Sequence, residues 1–247
     1  MPEPAMRNAL VLIAAATLAA CSLLAPRSAP PPAADTAVPG LADIATAREV
    51  AAAEGATLYA VDAAASEVRI FVFRGGSAPT RGKNHVLTTP DLQGFVALRS
   101  ALPTDASFML GFRAEALALD DPALRKKIGG SFAKPLSDDQ IAGTRDNMLG
   151  ESVLDVERYP EIVLRSVETG GDWPLLVARV EVALHGRTQA YDSLLEVRRD
   201  EGRLSAEGSL VIRQTDFGIT PMSVLGGLLG LQDAIGVRYR VVAERVD

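Results

Sequence analysis

The alternation at Leu204–Ile212 limits most sharply what this chain can become. Leu204, Ala206, Leu210 and Ile212 fall on one face of an extended strand, with Gly208 leaving a gap among them. Arg203, Ser205, Glu207, Ser209 and Arg213 fall on the other. A strand dry on one face and wet on the other suits an antiparallel sheet wrapped around an apolar interior. The alternation stops at Thr215-Asp-Phe-Gly218, a polar turn with an aromatic anchor, just before Pro221.

The same period of two recurs along the chain. It is read at Thr57–Asp62, Glu67–Arg74, Asp91–Arg99, Ser107–Ala114, Glu161–Glu168, Leu175–His185, Tyr191–Arg199 and Ala234–Arg245, with short pieces at His85–Thr88 and Ala116–Leu119. Gly75-Gly76, Gly170-Gly171-Asp172, Gly186-Arg187 and Asp200-Glu201-Gly202 mark turns. About eight main strands with mostly short connections predict sequence-adjacent antiparallel pairing. Closure of such a sheet into a barrel removes its exposed edges. The fold class is therefore all-β.

One stretch near residues 120–150 breaks the pattern. Pro122–Ile128 reads as a short helix capped by Asp120 or Asp121, and Ser137-Asp-Asp-Gln140 is a capping box opening a helix that runs to Leu149 before Gly150. The paired acids Asp120-Asp121 and Asp138-Asp139 read as helix caps on a solvated surface.

The first residues are set apart. Arg7 and the apolar run Ala9–Thr17 read as a signal peptide over residues 1–20, too short for the roughly 20 residues of a membrane span. Leu18-Ala-Ala-Cys21 resembles a bacterial lipobox, and Cys21 is the only cysteine in the chain. Lipidation there would tether the protein to a membrane, since each buried methylene contributes about 0.8 kcal/mol. Ser22 after the cysteine leans toward the outer membrane of a Gram-negative host. Residues 21–56 form a Pro- and Ala-rich tether centred on Pro30–Pro32, with a short helix expected in Leu41–Gly55. The globular domain is expected over 57–247.

Composition excludes several function classes. A net charge of −6 and a pI near 5.1 argue against nucleic acid, which needs a basic surface. One cysteine rules out an intrachain disulfide framework and a cysteine-rich zinc site, and the two histidines, His85 and His185, rule out a three-histidine site. Each histidine lies at a turn, where hydrogen bonding to that turn accounts for it more simply than metal ligation; they are the weak metal candidates. Gly150-Glu-Ser-Val-Leu154 lacks the second glycine of a nucleophile elbow, and Gly226-Gly-Leu-Leu-Gly230 lacks dinucleotide spacing. No cofactor and no catalytic residue is called. Val224–Leu231 is apolar for a loop; a lid, a membrane contact and a plug packed under the barrel end are the readings, with the plug preferred.

Several short stretches together are similar to the YceI-like family. They are Tyr59-Ala-Val-Asp62 with Ser66-Glu-Val68, Leu154-Asp-Val-Glu-Arg-Tyr-Pro160 with Ile162 and Ser166, Val182-Ala-Leu-His-Gly186 with Thr188, and Gln214-Thr-Asp-Phe-Gly-Ile219. The resemblance covers about Thr57–Arg245. It implies a lipocalin-like, eight-stranded antiparallel barrel with an apolar pocket for isoprenoids or other long-chain lipids. Arg74-Gly-Gly and Gly82-Lys-Asn-His-Val86 resemble a subgroup with a Gly-His-Asn-His-Val run, here with Lys83 in place of its first histidine. The lipid anchor is a further departure, since many relatives are soluble periplasmic proteins.

On pattern alone, a packed core and a ligand cavity both remain open. The pocket-lining candidates are Phe108, Leu110, Phe112, Val180, Val182, Leu184, Leu210, Ile212, Val237, Tyr239 and Val241. Most are of modest size, and aromatics make up only 5% of the chain, which favours some open space. With the resemblance, the expectation is a membrane-anchored, periplasm-facing protein holding a long apolar ligand, an isoprenoid or a quinone-like tail, for transport or sequestration. The alternatives are a structural or interaction lipoprotein with a packed barrel, and a metal-dependent or hydrolytic enzyme. Homodimerisation is left open.

Overall fold

The structure, a computed structural model, describes residues 38–246. The expected signal peptide, Cys21 and the Pro30–Pro32 stretch of the expected tether lie outside the described residues. A helix, α1 (Ala42–Ala53), comes first. Strands β1 (Thr57–Val61), β2 (Glu67–Gly75), β3 (His85–Thr88), β4 (Gln93–Leu98), β5 (Ala106–Arg113) and β6 (Ala118–Leu119) follow. Then come α2 (Pro122–Ile128), α3 (Asp138–Leu149) and strands β7 (Glu161–Asp172), β8 (Leu175–Leu184), β9 (Arg187–Asp200) and β10 (Arg203–Arg213). A short β11 (Ser223–Val224) and the long β12 (Leu229–Arg245) complete the chain.

These segments make eight staves of one closed antiparallel barrel. β1 and β2 run one after the other along β12, pairing Tyr59 with Arg245 and Gly75 with Gly230. β4 and β3 pair in turn with β1 and β2, and β5 and β6 with β4 and β3. Three staves are thus strands broken midway; β7, β8, β9, β10 and β12 are continuous. Each stave pairs with the next in sequence, and β1–β12 closes the circle, as the alternating pattern predicts.

The helical excursion enters where the sheet is weakest. β7 pairs with β5 through Glu161 and Arg113 and has no partner in β6 among the described residues. Residues 120–160 lie over that seam. α3 starts with the capping box read from sequence: Ser137 Oγ accepts from the Gln140 N–H at 3.3 Å, and Gln140 Oε1 accepts from the Ser137 N–H at 3.2 Å. Arg145 fastens it by donating to the carbonyls of Leu117 and Glu115.

A second apolar layer lies outside the barrel. Ile44 and Ala51 of α1 pack with Phe95, Ala97, Met109, Val163 and Ala183, the outward residues of four staves. α1, which the sequence places ahead of the domain, is packed onto it. Among the described residues, no helix is long and apolar enough to cross a membrane.

Two turns differ from expectation. β7 does not end at Gly170-Gly171; it continues to Asp172, and the chain reverses at Trp173-Pro174. Gly171 is left-handed (φ 96°), and a Cβ there would meet the Leu175 carbonyl oxygen at 2.8 Å, so the glycine permits close strand approach instead of a turn. Val224–Leu231 is neither a plug nor a loose loop. Ser223 pairs with Gly230 and Val224 with Leu229, forming a hairpin whose tip leaves Leu225 72% exposed. Left-handed Leu225, Gly226 and Gly227 make the reversal.

Candidate apolar site

Alternation in the staves turns one set of side chains inward, where they leave two adjacent lobes of open space. The larger, of about 230 Å³, is lined by β2, β3, the upper parts of β8 and β10, and α3. The smaller, of about 120 Å³, lies among β4, β5, β7, β8, β9, β10 and β12. Val68, Leu210 and Val237 line both and form the waist between them. For scale, an apolar cavity of roughly 150 Å³ stays dry and takes up a benzene-sized guest.

The candidate residues divide between the lobes. Phe112, Val182, Leu184 and Ile212 line the larger lobe; Phe108, Leu110, Val180, Tyr239 and Val241 line the smaller; Leu210 and Val237 line both. Each sits on a regular strand, where the period of two sets its face. Other lining residues escaped it. Thr144, Asn147 and Met148 reach the larger lobe from α3, and Val153 and Leu154 from the coil after it. Trp173, from the β7–β8 turn, closes the smaller lobe, with its indole N–H donating to the Ala101 carbonyl at 2.7 Å and Arg199 stacked 4.4 Å above its ring.

The gap expected at Gly208 is not open space. Gly208 pairs with Tyr239, and a Cβ on the glycine would collide with the phenol. The Tyr239 hydroxyl instead lies 2.7 Å from Ser193 Oγ, itself buried. Burial raises the Tyr239 pKa, while the Ser193 hydrogen bond opposes that shift.

The stretch Thr215–Gly218 forms the closed end of the larger lobe. Phe217 is fully buried and lines the lobe with Gln214 and Ile219. Gly218 is left-handed (φ 75°), which lets its N–H return to the Thr215 carbonyl. Tyr191 donates to Asp216 Oδ2 at 2.7 Å; burial and that carboxylate both push the phenol's pKa up. His185 is also held here. With Gly186 it forms the β8–β9 turn (φ 51° and 70°), and its Nδ1 donates to the Phe217 carbonyl at 3.1 Å. Tyr159 packs edge-on to the imidazole at 5.0 Å and fills the space a Cβ on Gly186 would need. Three sequence stretches, 154–160, 182–186 and 214–219, thus meet at one rim.

His85 has a different setting. Its Nδ1 lies 2.6 Å from Asp120 Oδ2. Asp120 is fully buried, contrary to its reading as a surface helix cap; Asp121 alone caps α2, accepting from the Leu124 N–H at 2.7 Å. Asp120 Oδ1 accepts from Arg125 Nη1 at 2.5 Å and from the Val86 N–H at 3.0 Å. Burial works to raise the Asp120 pKa, but His85, the Val86 N–H and Arg125 outweigh it and hold the carboxyl below its ordinary range. The turn of α2 that caps on Asp121 points Arg125 back at its neighbour, which no local pattern reveals. Among the described residues, no group of three or more His, Cys, Asp and Glu side chains could hold a metal ion.

A closed eight-stranded antiparallel barrel around an apolar, partly open interior defines a lipocalin-like binding fold. The chain belongs to the YceI-like domain family, whose model matches residues 59–243. That family's barrels bind hydrophobic ligands. In fold, the chain is similar to BcnA of Burkholderia cenocepacia, with 13% identity over 74% of this chain and 99% of that one, at a TM-score of 0.54. The Campylobacter jejuni YceI protein is 10% identical over 65% of this chain and 85% of its own, at a TM-score of 0.48. No curated protein matches the sequence.

Proposed function

We propose that this protein is a membrane-anchored, periplasm-facing lipid carrier that holds a long apolar ligand, an isoprenoid or quinone-like tail, in its barrel. The observation that carries the reading is the pair of adjacent apolar lobes behind the barrel wall, with Val68, Leu210 and Val237 lining both. Burying an apolar tail there stabilises the complex by roughly 25 cal/mol per Å², with few polar contacts needed. The role is binding for transport or sequestration, not chemistry. Anchoring rests on the lipobox ending at Cys21, which would keep the carrier at the membrane that supplies its ligand. Native mass spectrometry of the gently extracted full chain tests the carrier. A reproducible co-purified lipid, or uptake of an added polyprenyl compound, is the expected result. A bare protein mass that stays bare after such addition overturns it. Palmitate labelling that disappears in a Cys21→Ser variant is expected of the anchor, and labelling that persists overturns that part.

A further inference from the structure

The larger lobe is apolar except where His85, Asn147, Thr144 and Gln214 reach it. Thr144 is occupied, donating to the Gln140 carbonyl at 2.7 Å, and Gln214 Nε2 donates to the Gln232 carbonyl at 2.8 Å. Asn147, on α3, is exposed. His85 is the polar side chain fixed in the wall. Its Nδ1 is committed to Asp120, whereas its Nε2 has no hydrogen-bond partner among the described residues and is not among the fully buried atoms.

The state of that free nitrogen follows from its neighbours. Asp120 accepts from Arg125 and the Val86 N–H, and its lowered pKa keeps it an acceptor, so the proton between it and His85 belongs to Nδ1. Arg125, 3% exposed, already balances the carboxylate's charge. With Nδ1 as the donor to Asp120, Nε2 is the ring nitrogen left for a ligand, and in the neutral tautomer that nitrogen is an acceptor.

We propose that His85 is the polar anchor of the larger lobe, accepting at Nε2 a hydrogen bond from a hydroxyl at the end of an apolar chain. This rests on the carrier reading and adds a ligand class to it: a long-chain alcohol or a phenol-headed lipid, oriented with its head at His85 and its tail toward the waist at Val68, Leu210 and Val237. Asp120 and Arg125 are positioning residues, fixing the tautomer without touching the ligand.

The test compares farnesol with farnesyl methyl ether, equal in chain but lacking the donor, on the full chain. One neutral hydrogen bond predicts farnesol binding about five- to tenfold more tightly. In a His85→Phe variant the ratio should fall to about one while the ether still binds. Equal binding of both compounds by the unaltered protein, or a preference that survives in His85→Phe, overturns the anchor and leaves the carrier standing. Binding of neither overturns both. Imidazole ¹⁵N spectra of the unaltered protein give a second measurement that does not depend on the variant folding. The Nε2 resonance should move with farnesol and stay in place with the ether; its immobility with farnesol overturns the assignment.

Discussion

The two lobes share a waist but are built differently. The smaller is walled almost entirely by strands, β4, β5, β7, β8, β9, β10 and β12, and its hydroxyls are satisfied within the wall, Tyr239 against Ser193 and Thr169 against the Pro103 and Ala106 carbonyls. The larger is walled by the broken staves, by β8, β10 and β12, and by α3 with the coil after it, and it has a buried ion pair behind a histidine. The regular half is a packing problem solved by strand alternation. The irregular half has room for helices and a fixed polar group, because the sheet there has stopped dictating which side chain points inward.

The contrast can be broken at its strongest point first. Asp120→Asn should destabilise the protein by about 3–5 kcal/mol in urea unfolding, because it leaves Arg125 buried without a counter-charge. The pH dependence has a definite sign. The Asp120 carboxyl titrates below its ordinary 3.8 in the fold, so its contribution is complete above about pH 4 and lost as pH falls through the lowered value. The stability gap between the two proteins should therefore narrow on acidification below about pH 4. A gap that stays constant would show that the carboxylate's charge is not what matters.

A paired substitution on β8 separates the lobes by function. Val182 and Val180 lie two residues apart on one strand face, the first in the larger lobe and the second in the smaller. Val182→Trp should abolish uptake of polyprenyl compounds of every length. Val180→Trp should leave short chains bound and exclude long ones. Each variant should cost about 1–3 kcal/mol in stability for overpacking. Native mass spectrometry across a chain-length series reads the difference; the same cut-off for both would mean that the waist does not divide the space. The smallest effect is expected from Tyr239→Phe, about 0.5–1.5 kcal/mol by thermal or urea unfolding, with the acid branch of the stability curve unchanged.

The same division explains what could be read from the chain alone. β8, β10 and the body of β12 alternate over most of their length, so Val180, Val182, Leu184, Leu210, Ile212, Val237 and Val241 declare their face. α3 is legible as a helix through its capping box, but its packing partner is not, because Ile141 and Met148 pack on a core built from β-strands far away in sequence. Asp120 was misread for a related reason. Next to Asp121 it looks like one of two equivalent caps, and its setting depends on a left-handed backbone (φ 56°), on His85 from a distant strand and on Arg125 turned back by α2. Gly208 as a gap failed because the filling side chain, Tyr239, comes from the next stave. The apolar hairpin at Ser223–Gly230 was read by composition, which reports what a segment would bury and not whether it does.

The pairing of Tyr59 with Arg245 has a kinetic meaning. The first stave has its partner at the far end of the chain, so the circle is joined only by a contact of very large sequence separation. Such closures are slow, since the intervening chain must be ordered before they are rewarded. Until then β1 and β12 are two bare edges, each a template for a second molecule. A chain emerging vectorially would remain open until its last strand is available, and that interval is when a holding chaperone would matter most to it.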